Sequence, residues 1–128
     1  MSKKMVQKSE YPTHVLDHMA TTVLLLDQNL HLLYTNPAGE FLLSSSVKKC
    51  IGLHLKEIIA GPDEFYEVLE RALHTGRPFM EQAIKLELYG PNKIAVDCSV
   101  TAIEEPNRES QIVVELVNRS QTSENHAR

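Results

Sequence analysis

Two short stretches near opposite ends of the chain, Thr22-Val-Leu-Leu-Leu-Asp27 and Ile112-Val-Val-Glu-Leu-Val117, are apolar at almost every position. A strand with one wet face alternates apolar and polar side chains, so a run without alternation needs cover on both faces. Both stretches are far too short to span a membrane, which takes ~20 apolar residues. They are therefore predicted to lie side by side at the centre of one sheet. The rest of the chain has to supply the neighbouring strands and the cover.

The neighbours are legible. Asp27-Gln-Asn29 is a turn signal, and Leu30-His-Leu-Leu-Tyr-Thr35 behind it completes a hairpin with the first stretch. Asn36-Pro37 follows at once: Asn is a good helix cap and Pro suits the first helical position. The reading is a helix with Ala38, Phe41 and Leu42 on one face, stopped at Ser44-Ser45-Ser46. Two single turns, Val47–Ile51 and Leu55–Ile59, come next, ended by Gly52 and Gly61-Pro62. A longer helix from Pro62-Asp63 has Phe65, Val68, Leu69, Ala72 and Leu73 at the spacing of one face, and Thr75-Gly76 stops it. Ile84, Leu86 and Leu88 then alternate with Lys85 and Glu87, and Ile94 to Ala102 alternate in the same way. Ahead of all this, Thr13 can cap a short helix carrying Val15, Leu16 and Met19. Residues 1–12 read as a flexible lead, 13–119 as one domain and 120–128 as a polar tail.

Strands at both ends with helices between them predict an α+β domain on one antiparallel sheet. That order resembles the PAS family, most specifically in Tyr34-Thr35-Asn36-Pro37-Ala38-Gly39-Glu40-Phe41-Leu42-Leu43, and again in Ile51-Gly52 followed by Leu55 and Ile58-Ile59. The resemblance implies a PAS fold: a five-stranded antiparallel sheet in the order 2-1-5-4-3, a helical crossover on one face and an N-terminal helix. Within the family, Leu16-Asp17-His18-Met19, Val23 to Asp27 and Tyr34 to Leu43 resemble the N-terminal domain of nitrogen-regulation sensor histidine kinases. This further resemblance implies a cytosolic dimeric parent that controls a transcriptional response regulator under a PII signalling protein. Those partners would be met through regions not found in this sequence, which has no His-Glu-x-x-x-x-Pro phosphoacceptor motif and no Gly-rich nucleotide lid.

Composition narrows the function from the other side. The formal charge is −4, and no run of Lys and Arg exceeds a pair, so the basic stripe of a nucleic-acid binder is missing. The polar start, Met1 to Tyr11, is unlike a signal peptide, and the two cysteines, Cys50 and Cys98, read as free thiols. Cytoplasmic residence is the expectation, with neither membrane nor nucleic acid as partner. No zinc, redox or hydrolase motif occurs. His14 and His18 share a helix face and can in principle bind a metal, but no carboxylate or Cys sits at a matching spacing. His74 lies where some PAS domains hold haem, though at the last turn of its helix, where a cation is ordinarily favourable. Cys50 lacks the surroundings of a flavin-reactive thiol. No catalytic residue, metal or cofactor is expected, and the chain reads as a non-enzyme.

Two roles remain. The leading one is a regulatory module that dimerises and passes a signal to a kinase core. Val15, Leu16, His18 and Met19 of the N-terminal helix, with the uncovered sheet face, would form the homodimer contact. The alternative is a small-molecule receptor domain of another signalling protein, its pocket lined by Leu24, Leu26, Leu33, Phe41, Leu42, Ile58, Leu69, Val96 and Val114. The same residues describe a filled core, which is the preferred reading because they offer no charged clamp. Asn36 and Pro37 are assigned a structural capping role.

Overall fold

A computed structural model describes residues 21–43, 47–89, 93–104, 106 and 109–119. The elements run β1 (Thr22–Asp27), β2 (Leu32–Thr35), α1 (Pro37–Leu43), α2 (Val47–Cys50), a 3-10 turn (Leu55–Glu57), β3 (Ile59–Gly61), α3 (Asp63–Thr75), β4 (Phe79–Leu88), β5 (Lys93–Ile103) and β6 (Gln111–Asn118). The strands form one sheet in the order β2-β1-β6-β5-β4-β3. Its described pairings are all antiparallel.

The two stretches without alternation are indeed adjacent. β1 and β6 pair from Thr22 opposite Leu116 to Asp27 opposite Gln111. Among the described residues the sheet has six strands rather than the five expected. The extra one is β3, three residues at the β4 edge, where the sequence reading continued a helical turn to Ile59. β4 also begins earlier than expected, at Phe79, and carries an irregularity between Glu81 and Ile84. The N-terminal helix expected over 13–19 lies outside the described residues.

The β1–β2 turn is fastened by a carboxylate. Asp27 Oδ1 accepts from the backbone N–H of Asn29 and of His31, each at 2.9 Å. Leu30 takes φ 65°, a left-handed conformation uncommon for a leucine, while its side chain is only 5% exposed. The chain from Gly52 to Leu55 then runs along the start of β2: Leu32 donates to Leu53 O at 2.9 Å, and Leu55 donates to Leu30 O at 2.8 Å. That segment shields part of an otherwise open sheet edge.

One face of the sheet is packed. Leu24, Leu26, Ile84, Leu86, Val96, Cys98, Val100, Ile112, Val114 and Leu116 are buried on it; α3 lies over β4, β5 and β6 and adds Phe65, Val68, Leu69 and Ala72 to the same core, while α1 lies against β1. Gly76, at φ 71°, ends α3 by donating to Ala72 O, the left-handed terminus that glycine adopts at little cost.

Candidate functional site

The interior between the sheet and α3 was the candidate pocket. Leu24, Leu26, Leu69, Val96 and Val114 are 0% exposed, as is Phe65 among them. A side chain with no surface open to a water-sized sphere adjoins no void of that size. Leu42 and Ile58 pack against the same cluster from its margin. The other two expected lining residues stand elsewhere. Phe41 is 88% exposed, and Leu33 is turned partly outward. Leu33 sits at an irregularity where Leu25 faces Tyr34 but Leu26 faces Leu32, so the bulge rotates it off the inner face. Phe41 lies across α1 from Gly39, the helix's buried position.

The opposite face of the sheet is different in kind. Leu25 stands between Tyr34 on one side and Val113 on the other, and Val113 faces Thr101. Val23 opposes Glu115, and Val117 opposes Asp97. Val23, Leu25 and Val113 are half-buried, whereas Tyr34 and Val117 are exposed. This is a mixed face with an apolar strip over β1 and β6 that Glu115 interrupts. The expected dimer residues Val15, Leu16, His18 and Met19 lie outside the described residues.

Next to that strip, the end of β6 is held by charge. Arg119 Nη1 lies 3.0 and 3.1 Å from the two carboxylate oxygens of Asp97. Asp97 Oδ1 also accepts from the N–H of Ala83 at 3.0 Å, and Ala83 is the φ 59° residue at the β4 irregularity. One carboxylate on β5 thus ties the strand beside it to the point where the chain leaves the sheet. Sequence reasoning missed both residues: Asp97 looks like any polar residue on the wet face of an alternating strand, and only the fold brings Arg119 to it.

Asn36 is a second junction. Its Oδ1 accepts from Val23 N and Gly39 N at 3.0 Å each, and its Nδ2 donates to Thr21 O at 2.7 Å. One amide therefore caps α1 and staples it to the start of β1, with Pro37 at the first helical position.

The remaining candidates are structural. Both cysteines are free and buried. Burial, with a smaller contribution from Glu81, pushes the Cys98 thiol up to about 12, which keeps it protonated and unreactive. Burial likewise raises the Tyr66 phenol, whose hydroxyl donates to Ile59 O. His74 is exposed at the end of α3, its Nδ1 3.0 Å from Glu70 O. Among the described residues no three His, Cys, Asp or Glu side chains are grouped to hold a metal ion. No described helix is long and apolar enough to cross a membrane.

A single antiparallel sheet with its helical crossover on one packed face defines a sensory fold, and residues 10–118 match the family described as the PAS fold. The chain belongs to the PAS family. Its relatives place it more closely: it is 31% identical over 93 residues to the sensory histidine kinase/phosphatase NtrB of Shigella flexneri, and 28% identical over 102 residues to that of Klebsiella oxytoca. These alignments cover 73% and 80% of this chain but 26% and 28% of the kinases, so the chain spans about a quarter of the length of these curated relatives. Among solved structures, the PAS domain of nitrogen regulation protein NR(II) from Vibrio parahaemolyticus superposes with a TM-score of 0.68 at 25% identity, over 84% of this chain and 96% of that one. A sensory box histidine kinase from Vibrio cholerae superposes equally well, at 0.68, over 91% of this chain and 96% of that one, at 11% identity, a likeness of fold alone. The chain is a PAS domain homologous to the sensory domain of NtrB.

Proposed function

We propose that this domain is the regulatory module of a cytoplasmic nitrogen-regulation histidine kinase, and that it works by self-association and transmission rather than by catalysis. The observation that carries the reading is the contrast between the two faces of the sheet. The inner face is closed by 0%-exposed side chains, whereas the outer face leaves Tyr34 of the edge strand β2 and Val117 of β6 exposed on either side of the half-buried Val23, Leu25 and Val113. Strands that are apolar on both sides gain by burying the second side, and a second copy offers the same strip in a self-complementary contact. Residues 13–19, with Val15, Leu16, His18 and Met19, would complete that contact. The signal leaves along β6, whose end is tied by Arg119 to Asp97. The response regulator and a PII protein would be met by other parts of the parent kinase.

The test is sedimentation or light scattering of the chain beside Tyr34→Asp and Val117→Lys, the lysine being chosen because position 117 faces Asp97. These positions are exposed in the single chain, so neither substitution should cost folding. A dimer for the unsubstituted chain and a monomer for both variants supports the reading. A monomer throughout, or a dimer untouched by either charge, refutes it.

A further inference from the structure

A cleft at the margin of the packed interior opens at one end of the sheet, where the β1–β2 turn, the loop before the 3-10 turn, the second half of α3 and the start of β6 meet. Its volume is about 530 Å³. That is within the roughly 300–1,000 Å³ typical of small-molecule sites. Leu30 and Leu73 give it an apolar share, and Asn29, His54, Glu70, His74 and Ser110 supply polar groups. Leu30, the buried leucine with φ 65°, is among its lining residues, and strained backbone of this kind gathers at ligand sites.

The backbone fixes the hydrogen-bonding sense of both imidazoles. His74 Nδ1 lies 3.0 Å from the carbonyl of Glu70, which can only accept, so that nitrogen carries the hydrogen. The neutral ring then keeps its Nε2 as an acceptor. His54 is the reverse: its Nδ1 accepts from Lys56 N–H at 3.1 Å, which leaves the hydrogen on Nε2 as a donor. The cleft therefore pairs acceptors on α3, the Glu70 carboxylate and His74 Nε2, with an imidazole donor from the loop. Among the described residues the two histidines and the glutamate are not grouped to hold a metal ion. The lining holds one carboxylate, Glu70, and no Lys or Arg, which disfavours a phosphate or a dicarboxylate. The acceptors and the donor suit a molecule with an ammonium or carboxamide N–H at one end and a carboxylate or carbonyl oxygen a few atoms away.

We propose that this cleft binds a small α-amino acid or primary amide, with its N–H end on Glu70 and His74 and its oxygen on His54. Such a site gives the module an input that leaves the packed interior closed. It also has a route outward: Ser110 directly precedes β6, the strand that runs on to Arg119. The proposal goes beyond the self-association reading and stands or falls without it, because binding is measured on the domain alone.

The test is titration of the ¹⁵N-labelled chain with each standard α-amino acid, with acetamide and with inorganic phosphate, up to millimolar concentrations. Expected are saturable shifts, for at least one probe, at the amides of Asn29, Leu30, His54, His74 and Ser110. Paired Glu70→Gln and His74→Ala substitutions lie on the exposed side of α3 and should keep the melting temperature. They should weaken binding by on the order of tenfold or more, the effect of losing a hydrogen bond to a charged group. Saturation by no probe overturns the proposal, as does saturation confined to inorganic phosphate. Shifts centred on Leu69 and Val96 that survive the paired substitutions overturn it too, by placing the site in the interior.

Discussion

Replacing Gly39 by alanine sets two known effects against each other. Gly39 lies inside α1 without positive φ, so helix propensity alone favours alanine by about 1 kcal/mol. Space opposes it. A Cβ built on Gly39 falls 1.8 Å from Thr35 Oγ1, 3.1 Å from Thr35 Cβ and 3.3 Å from Thr22 Cγ2. Thr35 is 2% exposed, and its hydroxyl donates to Val23 O at 3.0 Å, so it cannot swing away without breaking that bond. Losing the bond costs about 1 kcal/mol, and forced displacement in a packed region costs about 1–3 kcal/mol. The net for Gly39→Ala is a loss of roughly 1–3 kcal/mol. Urea denaturation followed by circular dichroism measures it, with Thr35→Ala and the double variant completing a cycle. Removing Oγ1 first should abolish most of the alanine's cost, a coupling of about 1 kcal/mol or more. The reasoning is refuted if Gly39→Ala stabilises the chain, or if it costs the same with and without the Thr35 hydroxyl.

Asn36→Ala removes an amide that makes three bonds across two elements. It should cost about 2–3 kcal/mol by the same denaturation. Asn36→Asp keeps both acceptor roles and should lose less; equal losses would show that the cap is not what matters. Stability should also fall in alkali. The Cys98 thiol is raised from 9.0 to about 12, chiefly by burial. Folding therefore favours the protonated form, and its contribution is complete below pH 9 and is lost as pH climbs from there towards 12, at up to about 1.4 kcal/mol per pH unit. The raised Tyr66 phenol acts in the same direction from a higher starting point. Thermal melts between pH 8 and 11 should decline for the unsubstituted chain and flatten at their onset in Cys98→Ala; parallel curves would rule the thiol out.

What the sequence disclosed depended on whether a residue's role is set by its own pattern or by a distant partner. β1 and β6 were legible because an unbroken apolar run admits few positions in a sheet. α3 was legible because a thirteen-residue element shows its apolar face several times over. β3 was not, since Ile59–Gly61 is too short to show any period. The first residues of β4 were hidden because Ala83, at φ 59°, breaks the alternation that would have announced them. Phe41 misled for a related reason. Apolar spacing pointed α1 inward through its largest side chain, but the helix approaches the sheet through Gly39, its smallest, with Leu42 and Leu43 beside it. Asp97 and Arg119 are far apart along the chain, so their contact had no local signature.

The position of β6 has a consequence for how the chain is made. It is the last of the described strands in sequence, yet it lies between β1 and β5, and Thr22 finds its partner in Leu116. During synthesis, everything up to Ile103 can be present while the middle of the sheet is still missing, with β1 and β5 each offering an unpaired edge. Long-range pairing of this kind is slow and leaves such edges open to other chains until it is complete. A nascent chain stalled before Gln111 is therefore expected to expose both of those edges to aggregation, and it is the pairing of β6 that joins β1 to β5.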